Sequence, residues 1–132
     1  MTAARLLLPA ALALLAACAQ TPTSHVAVQV DKQSDCPAKL AVGQQLIVTL
    51  SSNPTTGFRW QTKDAGSSVL RSLGPEVYSN PEDAGVVGSA GLSTWRYQAT
   101  AAGSGKLLMT YQRPWEPEVA PAETFDCAIT VK

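Results

Sequence analysis

The chain has 132 residues, and its ten lysines and arginines balance ten aspartates and glutamates. This balance provides neither the basic surface that nucleic-acid binding requires nor an acidic tail for a cationic partner. The length fits one domain with a modest core. We therefore expect a single small domain that binds no nucleic acid.

Residues 1–17 predict a secretory signal, because one cation precedes an apolar run, residues 6–17, that is too short to span a bilayer comfortably. The run ends in LAAC at residues 15–18, which resembles the lipobox of bacterial lipoproteins. The resemblance implies cleavage before Cys18 and acylation of its thiol. The alternative is an ordinary signal peptide in which Cys18 is incidental. Ala19 after the cysteine favours the outer membrane, facing the periplasm, over the inner membrane.

Cleavage before Cys18 would leave 115 residues, which is 132 less 17. Residues 18–25 are polar and contain proline, so we expect them to tether a lipidated Cys18 to a domain spanning residues 26–132. The expected product is a monomer in the bacterial cell envelope, held to the membrane through its lipid.

Two cysteines, Cys36 and Cys127, remain if Cys18 is acylated, and an envelope compartment permits disulfides. Cys127 alternates in phase with Phe125, Ile129 and Val131, so its side chain is expected to point inward. A bridge would close a loop of about 90 residues and stabilise the fold by roughly 4–5 kcal/mol. The alternative is two free, buried thiols.

Period-2 alternation of apolar residues dominates the remaining chain, and no segment shows sustained helical spacing. The predicted strands are residues 26–30, 40–50, 58–62, 69–73, 94–99, 107–112 and 123–132. Short strands separated by Gly, Pro and Asn over this length predict a β-sandwich. Phe58 and Trp60 fall on one strand face and are expected in the core. The glycine-rich residues 103–106 are interpreted as a hairpin turn.

Catalytic constellations are missing from the sequence. The single histidine, His25, falls in the predicted tether, so no Ser-His-Asp or Cys-His arrangement has a base. One histidine and two bonded cysteines leave nothing for a zinc site. We expect no enzyme activity, no metal and no cofactor.

Three loops stand out instead. The first, NPTTGF at residues 53–58, is stiffened by Pro54, while Gly57 permits a positive φ. The second, residues 85–91, is glycine-rich and apolar. The third, residues 113–117, holds Trp115 between prolines, where an indole is more useful as a binding anchor than as core.

NPTTGF, then G-x-x-G at residues 88–91, then RPW at residues 113–115, in this order on a small β-sandwich, resembles the chagasin family. These proteins inhibit papain-like cysteine peptidases. The resemblance spans residues 26–132 and implies an all-β, immunoglobulin-like antiparallel β-sandwich of seven to eight strands, with the three loops at one end.

The resemblance also implies that the loops form a wedge that fills the active-site cleft of the peptidase. Thr55, Thr56 and Gly57 would approach the catalytic cysteine. The glycine-rich segment would pair through its backbone on the non-primed side, and the third loop would flank the primed side. The implied peptidase-binding residues are Asn53, Pro54, Thr55, Thr56, Gly57, Gly88, Ser89, Ala90, Gly91, Arg113, Pro114 and Trp115.

A non-inhibitory immunoglobulin-like module of an envelope lipoprotein is the alternative function. Such a module would expose an apolar sheet face or edge for its partner, and its loop tips would carry no function. An inhibition assay against papain distinguishes the two.

Overall fold

The computed structural model describes residues 26–80 and 90–132. The predicted signal peptide and tether, Cys18, Gly88 and Ser89 lie outside these residues. The described strands are β1 (Val28–Val30), β2 (Ala38–Leu40), β3 (Gln45–Ser52), β4 (Arg59–Ala65), β5 (Leu70–Ser72), β6 (Val77–Ser79), β7 (Gly91–Ala99), β8 (Gly103–Gln112) and β9 (Glu123–Val131).

The strands form two sheets that pack face to face. One sheet has the order β1-β3-β7-β5, with β6 also paired to β7, and the other has the order β2-β9-β8-β4. The pairings are antiparallel except at two edges, where β1 runs parallel to β3 and β2 runs parallel to β9. The architecture is the β-sandwich that the alternation predicted, in the immunoglobulin-like form that the family resemblance implied. The described residues form nine strands, where seven to eight were expected.

The core lies between the sheets because β3, β7 and β9 turn every second residue inward. On β3 these residues are Leu46, Val48 and Leu50, and all three are buried. The opposite sheet contributes Leu107 and Met109 from β8 and the predicted inward face of β9, which comprises Phe125, Cys127, Ile129 and Val131. Alternation in the sequence therefore identified the buried faces of β3, β7 and β9 correctly, whereas on β4 Trp60 is only half-buried and Thr62 is exposed.

The predicted strand over residues 40–50 divides into two strands in different sheets. Its first residue, Leu40, is the last residue of β2, and its residues from Gln45 onward belong to β3. A turn at residues 41–44 crosses between the sheets, with Gly43 at φ +89°. Sequence reasoning missed this turn because Leu40 and Val42 fall in the same alternating phase as the apolar residues of β3. It also missed β6, which has only three residues, all exposed.

Residues 103–106 are not a hairpin turn. They form the start of β8 and pair with β9 from Gly103 opposite Val131 onward. The preceding strand, β7, belongs to the other sheet, so the chain changes sheets at residues 100–102 before β8 begins.

Cys36 and Cys127 form the expected disulfide, with an S–S distance of 2.08 Å. The bridge ties the connection between β1 and β2 to the middle of β9, across a sequence separation of 91. Within residues 26–80 and 90–132, no helix is long and apolar enough to cross a membrane.

Candidate inhibitory site

Strand register brings the 53–58 loop, the 113–117 loop and the described end of the glycine-rich segment to one end of the sandwich. Ser52, which precedes the 53–58 loop, lies opposite Gly91 in the β3–β7 pair. Arg59, which follows the same loop, lies opposite Gln112 in the β4–β8 pair, directly before Arg113. The 53–58 loop therefore lies between the 113–117 loop and the described end of the glycine-rich segment.

The 53–58 loop is a short 3₁₀ turn, Pro54–Thr56, capped at both ends. Asn53 Oδ1 accepts the backbone N–H of Thr55 at 3.2 Å and its hydroxyl at 2.5 Å. The Asn53 carbonyl accepts the Thr56 hydroxyl at 2.6 Å. Gly57 ends the turn in the left-handed region, at φ +82°. Because both threonine hydroxyls donate within the loop, they fix its shape.

The 113–117 loop covers Gly57 with an aromatic ring. Trp115 is 65% exposed, yet a β-carbon at Gly57 would lie only 2.2 Å from Cη2 of its indole. The loop closes on itself, because the Glu116 N–H donates to the Arg113 carbonyl at 3.0 Å. Glycine at position 57 therefore allows the left-handed backbone turn and also leaves room for the indole.

Arg113 joins the two loops. Its Nε donates to the Thr56 carbonyl at 3.1 Å, and its guanidinium lies 4.6 Å from the centre of the Phe58 ring. It also pairs with Glu116 at 3.8 Å. From the other side, Arg59 Nη1 donates to the Pro54 carbonyl at 3.1 Å. Two arginines thus bind carbonyl groups of the 53–58 loop.

Aromatic rings support the loop from below. Trp60 packs against the core as expected, and its Nε1 donates to the Ser51 carbonyl at 3.0 Å. Phe58, which was also expected in the core, instead stacks on Tyr111 at the base of the loop. Tyr111 escaped sequence reasoning, since it falls in the regular alternation of β8.

The glycine-rich segment is described only at Ala90 and Gly91. Gly91 is buried as the first residue of β7, and a β-carbon there would lie 2.5 Å from the Ser79 carbonyl oxygen and from the Tyr78 hydroxyl. Glycine at this position therefore permits the close approach of β6 to β7 at the site end.

The assembled surface is rigid and mostly uncharged. Residues 53–58 contain no ionisable side chain, and the two charges of the 113–117 loop, Arg113 and Glu116, pair with each other. Thr55, Thr56, Pro114 and Trp115 are exposed on it. The 53–58 loop can therefore enter a cleft of complementary shape without placing a charged side chain of its own in it.

Comparison with known proteins identifies the family of this chain. Residues 39–129 match the family model described as "Chagasin family peptidase inhibitor I42". The chain belongs to the chagasin family of peptidase inhibitors.

Chagasin of Trypanosoma cruzi is 31% identical over 90 residues, which cover 65% of this chain and 80% of chagasin. Among solved structures, the fold matches the cysteine protease inhibitor EhICP2 of Entamoeba histolytica with a TM-score of 0.67 at 18% identity, covering 80% of this chain and 95% of that one. It also matches PbICP-C in complex with falcipain-2, with a TM-score of 0.53 at 18% identity, covering 83% and 93%.

Proposed function

We propose that this protein is a reversible, tight-binding inhibitor of papain-like cysteine peptidases that blocks the active-site cleft with three loops. Besides family membership, one structural observation supports the proposal most directly. The Pro54–Thr56 turn and the exposed Trp115 are fixed to each other at one end of the sandwich, through Gly57 and through the bond from Arg113 to Thr56.

The chemistry of the target suits this surface. A papain-like site holds a low-pKa thiolate beside a protonated histidine in a narrow groove. Small, uncharged threonine side chains fit such a groove, and a loop held in one shape loses little entropy on binding. Thr55, Thr56 and Gly57 would face the thiolate, residues 88–91 would pair on the non-primed side, and Trp115 would anchor the primed side.

The same loop resists cleavage by the peptidase it blocks. Thiolate attack requires a carbonyl carbon at about 3–3.5 Å in an aligned geometry. The Pro54 carbonyl accepts the Gly57 N–H at 3.0 Å as well as the Arg59 guanidinium, and the Thr56 carbonyl accepts Arg113. These bonds hold the loop as a turn and keep its carbonyl groups in the orientations of that turn. A carbonyl held in this way is not free to rotate into alignment with the thiolate.

Titration of papain with the purified protein tests the proposal. We expect reversible inhibition at one inhibitor per enzyme, with the inhibitor recovered at its intact mass after long incubation. Papain that keeps its full activity would contradict the proposal and would leave the non-inhibitory envelope module as the better account. Inhibition accompanied by cleavage in the 53–58 loop would mean that the loop is a slow substrate.

We also propose that the inhibitor acts as a monomer from the cell envelope, anchored by a lipid on Cys18 in the outer membrane and facing the periplasm. The LAAC sequence supports the anchor. The parallel β1–β3 pairing is compatible with it, because Val28 lies opposite Leu46, at the end of β3 remote from the 53–58 loop. The eight residues from 18 to 25 reach at most about 26–29 Å, so the tether would attach at the end of the domain opposite the 53–58 loop and keep the domain near the lipid surface.

Cell fractionation tests the anchor. The protein should sediment with membranes, and Cys18→Ser should release it to the soluble fraction. An unchanged distribution of the Cys18→Ser variant would refute lipidation at this residue.

A further inference from the structure

Tyr111 is a half-buried residue of β8 that lies outside the three loop motifs. Its hydroxyl accepts the backbone N–H of Asn53 at 2.8 Å, across 58 positions of sequence. Asn53 is the first residue of the 53–58 loop, and its side chain and carbonyl cap the turn. The Tyr111 hydroxyl therefore fixes the residue on which the loop geometry depends.

The ring of Tyr111 supports the other end of the same loop. It stacks on Phe58 with centroids 5.2 Å apart, and on Trp60 with centroids 4.9 Å apart. Phe58 in turn carries the Arg113 guanidinium that binds the Thr56 carbonyl. One side chain thus contacts both ends of the 53–58 loop and supports the arginine that joins it to the 113–117 loop.

We propose that Tyr111 is a positioning residue, which holds the 53–58 loop in the shape that enters the peptidase while its own side chain remains beneath the loop. This role rests on the proposed function. Without the Tyr111 hydroxyl the loop samples other conformations. The apparent affinity for the peptidase then falls in proportion to the fraction of molecules that remain in the binding-competent conformation. The loss appears chiefly as a slower association rate, since fewer molecules are competent at encounter.

Tyr111→Phe tests the role because it removes the hydroxyl and keeps the ring. In the free protein, the Asn53 amide should exchange its hydrogen faster, as measured by NMR. The inhibition constant for papain should rise roughly three- to tenfold, the equivalent of one net hydrogen bond.

Tyr97→Phe is the matched control. Tyr97 is a buried tyrosine of β7 near the opposite end, paired with Leu46 and Ser72. This variant should lose stability, because it too loses a tyrosine hydroxyl, yet keep the parent's inhibition constant and Asn53 exchange rate.

The outcomes separate the alternatives. Parent-like inhibition by Tyr111→Phe would overturn the positioning role, as would equal effects of the two variants, which would reflect general stability. Weaker inhibition with unchanged Asn53 exchange would mean that the hydroxyl touches the peptidase, and would also overturn it. A parent protein that does not inhibit papain would instead overturn the proposed function, and the role of Tyr111 with it.

Discussion

Gly57 meets two independent constraints at one backbone position. Its φ of +82° lies in the left-handed region, where a side chain costs about 1–2 kcal/mol. The Trp115 indole also occupies the space that a β-carbon would take. The first constraint concerns folding, whereas the second concerns the shape of the inhibitory surface.

Gly43 allows the two constraints at Gly57 to be separated. It has a similar φ of +89° at the opposite end of β3, and a β-carbon there would meet nothing within 4 Å. Gly43→Ala and Gly57→Ala should therefore lose similar free energies of unfolding in urea, about 1–2 kcal/mol. Only Gly57→Ala should weaken papain inhibition, roughly tenfold or more, because it displaces the indole. Equal inhibition constants for the two variants would show that the position of the Trp115 indole over Gly57 does not contribute to binding.

Trp115 is the residue at which affinity and stability should separate most clearly. Because its side chain is largely exposed, Trp115→Ala should leave the melting temperature nearly unchanged. If the indole is the primed-side anchor, the same change should weaken inhibition by about 2 kcal/mol or more. A large fall in melting temperature with unaltered inhibition would contradict the anchor role.

Ionisation of Tyr97 should lower the unfolding free energy at alkaline pH. Burial raises the pKa of its phenol from 10.0 to about 12, against the opposing effect of the hydrogen bond with Thr62. Since the folded-state value is the higher one, this contribution to stability is complete below pH 10 and is lost as the pH rises from 10 to 12. The loss amounts to roughly 2–3 kcal/mol.

Comparison of the parent with Tyr97→Phe isolates this contribution, because the lysines and the remaining tyrosines titrate in both proteins. The variant should show the shallower fall in unfolding free energy between pH 10 and pH 12. Parallel curves would mean that Tyr97 ionises in the folded protein as easily as in the unfolded chain.

At the scale of elements, the disulfide should contribute stability without contributing to binding. It closes a loop of about 90 residues, for which chain entropy predicts roughly 4–5 kcal/mol. Cys36 lies on the β1–β2 connection and Cys127 on β9, outside the 53–58 and 113–117 loops. Cys36→Ser should thus unfold at lower denaturant concentration and still inhibit papain at low temperature. Reduction of the parent should reproduce the change, whereas two reactive thiols in oxidatively folded protein would refute the bridge.

The sequence predicts those elements whose signal is local. Period-2 alternation located the long strands and the buried faces of β3, β7 and β9, including Cys127 on β9, because burial on one face alone imposes that pattern. It failed at Val42, where an apolar turn residue concealed the change of sheets. It also failed at residues 103–106, since glycine in a strand and glycine in a turn look alike in sequence.

The residues of the site also differ in whether the local sequence identifies them. The 53–58 and 113–117 loops carry Pro, Gly and Trp in unusual positions, so the sequence could single them out. Tyr111 carries no such signal, because its role depends on a backbone group 58 residues away that only the register of β4 and β8 brings near. The long-range contacts that shape a loop cannot be read from the loop itself.

At the scale of the whole molecule, the start of the described chain and the 53–58 loop lie at opposite ends of the sandwich. The described chain begins beside the start of β3, while the 53–58 loop follows the end of β3, six strand residues or roughly 20 Å away. The core between the two ends contains the disulfide and the packed faces of both sheets. Changes at the remote end should therefore affect stability, whereas changes at the loops should affect inhibition.

The central claim is that the 53–58 loop enters the active-site cleft, and the most direct measurement is papain inhibition by substitutions at its exposed tip. Thr55→Ala should weaken inhibition modestly, since a neutral hydrogen bond contributes about 0.5–1.5 kcal/mol. Thr55→Asp and Thr56→Trp should weaken it about thirtyfold or more, because a cleft excludes an unpaired charge and a large ring. Thr100→Asp, an exposed threonine at the remote end, is the matched control and should inhibit like the parent. With circular dichroism confirming that every variant is folded, parent-like inhibition by Thr55→Asp and Thr56→Trp would contradict the account.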